Sequence, residues 1–118
     1  MPEQEVAWTG RRLDVIAALD RLATINHANV SDWPDLTNAV HWLIDDTWWD
    51  HHPPEEEIGL ILRDQTEAAS ISLVVEAVLV VLGDVPVGSP DRDCLDHPRW
   101  DDVASLAVAS RDLMARPV

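Results

Sequence analysis

Read for periodicity alone, the chain falls into stretches where apolar side chains return every three or four residues, separated by polar breaks carrying Pro, Gly or Asn. The first stretch covers residues 10–26. Val15, Ile16, Leu19, Leu22 and Ala23 share a face, Asp14, Asp20 and Arg21 lie off it, and Thr9 stands where a cap belongs. Asn26, His27 and Asn29 end the pattern, so His27 reads as a helix-end residue. Residues 1–8 are polar and acidic without a period and are expected to be a poorly ordered lead-in, its end anchored by Trp8.

The second stretch covers residues 34–49. Ser31 to Asp35 supply a cap, a Pro for the first turn and acid at the positive end of the helix dipole. Leu36, Ala39, Val40, Leu43, Ile44 and Thr47 then form one continuous inward face. Trp42 and Trp49 fall on another line with Asp46 between them, which predicts a second covered face. His41 and Asp45, one turn apart, share a third line within hydrogen-bonding reach.

Pro54 followed by Glu55, Glu56 and Glu57 is a helix-start signal, with Pro in the first turn and carboxylates on the positive dipole end. After Gly59 no Pro or Gly interrupts the chain until Gly83, which is placed for a left-handed cap. One long helix over residues 54–82 is predicted. Ile61, Gln65, Ala68, Ser72, Val75, Leu79 and Leu82 read as its core stripe. A second line turns from charged to apolar through Ile71, Val74, Val78 and Val81, and such a face needs a cover; a homodimer through these four side chains is the expectation. Asp84 to Cys94 reads as a surface loop, and Asp96-His97-Pro98, with His97 in the cap region, starts a last helix over residues 98–115. The fold class is all-α: a single domain, 1–118, built as an irregular bundle of four main helices around one long central helix.

Composition narrows the partners. Net charge is −14, from 22 acidic residues against eight Arg and no Lys. The molecule's field repels phosphate backbones and anionic bilayers, which argues against direct nucleic-acid or membrane binding and favours a basic protein partner. The lone Cys94 permits no intramolecular disulfide, and no basic segment followed by an apolar one suggests export, so a cytoplasmic location is expected. The most apolar run, Ile71 to Leu82, is 12 residues and contains Glu76, short of the roughly 20 a membrane span needs.

Three segments carry a resemblance: Val40-His41-Trp42-Leu43-Ile44-Asp45-Asp46-Thr47; Ile58-Gly59-Leu60-Ile61-Leu62-Arg63-Asp64 with Glu67-Ala68 and Leu82-Gly83; and His97-Pro98-Arg99-Trp100-Asp101-Asp102-Val103. In order and spacing they resemble a family of small acidic helical proteins of actinobacteria, a domain of unknown function. The resemblance implies the helical fold and supplies no activity. The Trp48-Trp49 and His51-His52 pairs lie outside it.

The candidate chemistry gathers where the second and third stretches meet. His41, Asp45, Asp46, Trp49, Arg63 and Asp64 are the candidate binding residues. His41, Asp45, His51 and His52 are weak metal ligands whose spacing matches no named motif, and neither a metal nor a cofactor is expected. Asp45, Asp46, Asp64 and Glu67 near Arg63 suit acid–base work only if a pocket forms around them. The simpler expectation is that Arg63 folds back to clamp Asp45 or Asp46 and fixes the helix angle. Cys94 sits among Asp93 and Asp96, which disfavour a thiolate, and Gly59, Gly83 and Gly88 are too isolated for a phosphate loop. The resulting expectation is a non-enzymatic interaction or regulatory domain, antitoxin- or immunity-like. The alternative is a small-molecule or metal-binding enzyme with its site at the junction of the second and third helices.

Overall fold

A computed structural model describes residues 6–116. The described chain is all-α, as its periodicity predicts. Helix α1 spans Thr9–Thr24; α2, Leu36–Val40, runs on into a π-helical turn, His41–Asp45; Pro54–Glu57 is a 3-10 turn; α3 is Gln65–Asp84, α4 Asp91–Leu95 and α5 Trp100–Met114. Among the described residues the only β feature is an isolated bridge between Ile58 and Leu62.

Several boundaries depart from expectation. The predicted helix over 54–82 is broken: Pro54 starts only a 3-10 turn, Gly59 takes a left-handed φ of +92°, and α3 begins at Gln65. Its start is encoded ten residues further on, where the Asp64 side chain accepts the Glu67 N–H at 2.9 Å and the Glu67 carboxylate accepts the Arg63 N–H at 2.8 Å, a variant of the reciprocal capping box. Gly83 lies inside α3 rather than capping it; the helix stops where Val85 turns extended ahead of Pro86, as the residue before a proline prefers. The stretch read as loop, Asp84 to Cys94, holds the last residue of α3 and most of the short α4. At α1 the N-cap is Trp8, and Thr9 is the first helical residue.

Although α3 is the longest helix, the packing runs through α5, which contacts both α1 and α3, while α2 and the π turn pack on α1. Leu19, Leu22, Leu43, Ile44 and Met114 fill the centre. Ile71, Val74, Val78 and Val81, expected to seat a second chain, are at most 2% exposed and form α3's side of this core. The face that called for a cover is therefore covered by the chain's own core. The outward apolar positions of α3 are instead Leu73, Leu79, Val80 and Leu82, two of them from the stripe assigned to the core. By length and composition, α3 matches a membrane span, with 20 residues and a mean hydropathy of 1.8, which the 12-residue run did not suggest. Here its apolar face is spent on α5 and the surrounding core.

A buried ion pair ties the ends of the fold together. Arg12 of α1 donates to both carboxylate oxygens of Glu67, at 2.7 and 2.8 Å, and to the carbonyls of Ile61 and Met114, each at 2.9 Å. Every charge is matched by hydrogen bonds, the condition under which a buried pair is tolerated. Arg21 plays a similar part for the connection after α1, donating to the carbonyls of Pro34, Asn29 and Asp32. His97 donates from Nε2 to Asp84 and accepts the Arg99 N–H at Nδ1, at 3.0 Å, which is the cap-region role expected of it.

Candidate functional site

The unusual backbone is concentrated between α2 and the 3-10 turn. The N–H of Asp46 reaches the carbonyl of His41 and that of Trp49 the carbonyl of Ile44, both five residues back, which widens the helix into its π turn. The Thr47 hydroxyl, buried, donates to the Leu43 carbonyl at 2.7 Å. Trp48 then takes φ +61°, a left-handed conformation that is unfavourable for a bulky side chain, and reverses the chain. Consequently Trp49 leaves the helix line it was expected to share with Trp42. Trp49 turns into the core at 4% exposure, whereas Trp42 meets Trp33 edge to face at 6.2 Å.

That reversal helps to shape a cleft of about 690 Å³. One wall is the segment before α1, sewn down by backbone hydrogen bonds from Ala7 to Gly59, 3.0 Å, and from Trp8 to Leu60, 2.8 Å; residues 6–8 of the expected lead-in are therefore anchored, and residues 1–5 lie outside the described chain. The opposite wall is Asp46, Thr47 and Trp48, with His52, Glu57 and Ile61 completing it. Trp8 and Trp48 are 46% and 63% exposed, so both indoles are presented to solvent. His52 Nε2 donates to the Thr47 carbonyl at 3.0 Å; its Nδ1 stands 3.3 Å from Glu56 Oε1, too poorly aligned to bond. Glu57 Oε2 is buried without a hydrogen-bond partner, a state that costs free energy unless something donates to it. Arg11 also lines the cleft and donates to the Asp46 carbonyl at 2.6 Å.

Of the residues singled out in the sequence, His41 and Asp45 are brought together, Nδ1 to Oδ2 at 2.7 Å, with Asp46 Oδ1 3.7 Å from the other ring nitrogen. Arg63 does not clamp either aspartate. It donates to the Arg116 carbonyl at 2.8 Å, because the break at 58–64 separates it from the end of α2. Asp64 is the α3 cap and Glu67 the partner of Arg12, so neither is available for acid–base chemistry. His51 meets Trp48 in a tilted contact, centroids 5.7 Å apart and planes at 53°, and His52 is committed to Thr47. Among the described residues no three His, Cys, Asp or Glu side chains are gathered as a metal requires, and the four weak ligands do not converge. Cys94 is buried, and its thiol is raised above its ordinary range by burial first and then by Asp91 and Asp93. The charged and aromatic lining residues that sequence reasoning did not single out are Trp8, Arg11, Trp48 and Glu57, Trp49 having been chosen in place of its neighbour; they come from separate segments and have no local signal beyond the tryptophans themselves and the glutamate run.

A family model described as a domain of unknown function (DUF7945) matches residues 6–117. No curated protein and no solved structure matches the chain.

Proposed function

The chain belongs to this domain family of unknown function, and on that premise we propose that it is a non-enzymatic interaction module that holds a basic side chain of a partner protein in the cleft lined by Trp8 and Trp48. One observation carries the reading: two exposed indoles and the carboxylates of Asp46 and Glu57 line a single cleft in a chain of net charge −14, and the one arginine in the lining, Arg11, is engaged by the Asp46 carbonyl. An indole face attracts a cation by about 0.5–2 kcal/mol, and the more so once water is displaced. The overall field steers a basic partner toward the surface and speeds association. A guanidinium or ammonium entering the cleft meets the Asp46 carboxylate, whose side chain is 40% exposed. The left-handed Trp48 costs roughly 1–2 kcal/mol of backbone strain without repaying it through burial, which fits a side chain retained for binding.

The test compares the native chain with Trp48→Asn, since Asn accepts the left-handed conformation. The variant is expected to melt at or slightly above the native temperature. At the same time it should lose at least tenfold in affinity for an Arg-containing basic peptide followed by tryptophan fluorescence, and the native affinity should fall as salt rises. Equal peptide affinity for the two proteins overturns the proposal.

A further inference from the structure

His41 and Asp45 line a second cavity, of about 310 Å³, that shares no lining residue with the tryptophan cleft. We propose that it binds a small apolar amine, with the hydrocarbon part between α2 and the loop after α3 and the amino group at the carboxylate edge. The inference stands independently of the interaction reading.

The size lies at the lower end of small-molecule pockets and accommodates one ring with a short chain. Its aliphatic walls are Leu36 and Val40 from α2, Leu82 from α3 and Pro86 from the loop, whose bend is set by Gly88 at φ +87°. Burial of hydrocarbon against such walls supplies affinity, and the polar groups fix orientation. Those groups share one sign. Asp45 and Asp91 both line the cavity and no Arg does, so a carboxylate or phosphate is repelled and an ammonium is favoured.

His41 sharpens the orientation. Its Nδ1 donates to Asp45 at 2.7 Å and so fixes that carboxylate at the cavity edge, while Nε2 faces Asp46 Oδ1 at 3.7 Å. Thr37 turns its hydroxyl to Asp91 at 3.4 Å, which leaves the second carboxylate oxygen free to accept. The His41–Asp45 pair is carried by the π turn, His41–Asp45, a distortion that recurs at functional sites and here coincides with the polar edge of the cavity.

The experiment is amide-resolved NMR of the full chain titrated with phenethylamine, 2-phenylethanol and phenylacetate, molecules that share a ring and differ in charge. Phenethylamine is expected to shift the amides of Val40, His41, Leu82 and Val87 with half-saturation near about 1 mM, and phenylacetate to bind at least tenfold more weakly. In an Asp45→Asn/Asp91→Asn double variant with an unchanged melting curve, the amine should drop to the affinity of the alcohol. Absence of shifts at those residues at tenfold higher concentration overturns the proposal. So do equal binding of amine and carboxylate, and shifts confined to the tryptophan cleft.

Discussion

Replacing Glu67 with Ala removes the carboxylate that neutralises Arg12 and caps the Arg63 N–H, leaving the guanidinium with only the Ile61 and Met114 carbonyls. The Arg12 and Glu67 side chains are 8% and 3% exposed, so neither solvent nor salt compensates for the loss. Breaking one partner of such a pair costs about 3–5 kcal/mol, out of the roughly 5–15 kcal/mol that holds a domain together. Unfolding entropy near about 2.1 cal/mol/K per residue gives roughly 0.25 kcal/mol/K for 118 residues, so the melting temperature should fall by about 12–20 °C. Thermal and urea melts by circular dichroism measure it. An Arg12→Met/Glu67→Met double variant, which removes both charges and keeps the volume, should recover most of the loss, to within about 1.5 kcal/mol of native. Because Arg12 holds the Ile61 carbonyl and Ile61 lines the tryptophan cleft, Glu67→Ala should also speed hydrogen exchange at Leu60, Ile61 and Leu62, whose N–H groups all close on the Glu57 carbonyl. A Glu67→Ala melt within about 4 °C of native, or a double variant as unstable as the sum of the single ones, refutes the reasoning.

Two glycines should respond with opposite signs. Around both, a methyl group meets open space, so only the backbone decides: Gly59→Ala, at φ +92°, should lower stability by about 1–2 kcal/mol, whereas Gly83→Ala, inside α3, should raise it by up to about 1 kcal/mol. Destabilisation by Gly83→Ala in urea melts would contradict the continuation of α3 to Asp84. Cys94 should be alkylated by iodoacetamide at least tenfold more slowly than a free thiol near neutral pH, with a rate still climbing above pH 9.0, the ordinary value from which burial and then Asp91 and Asp93 raise it. The linked stability has a definite sign: a raised pKa in the fold means its contribution is intact below the unfolded thiol's pKa and is lost as pH rises through the folded one. Neutral-pH alkylation as fast as that of free cysteine counts against this.

The parts of the fold legible in advance are those set within one or two helical turns. The α1 stripe, the inward face of α2 and the His41–Asp45 hydrogen bond follow from three- and four-residue spacing, and the acidic first turn of α5 from dipole complementarity. The break before α3 was also locally encoded, in Gly59 and in Asp64 three residues ahead of Glu67, but it was outweighed by the stronger-looking signal of Pro54 and three glutamates. Two start signals competed, and the periodicity of the following residues suits either.

The sequence by itself determined an all-α acidic chain, the inward stripes of α1 and α2 and the His–Asp pair, because these depend on side chains that stay neighbours whatever the rest of the chain does. The tertiary structure alone decided which face of α3 meets α5, which arginine would be buried against Glu67, and that Trp8, Trp48 and Glu57 would line one cleft. An apolar helix face is equally content against its own chain or a second one, and a charge pairs with whichever opposite charge packing delivers. Those choices are made by contacts between residues tens of positions apart, to which a local period is blind.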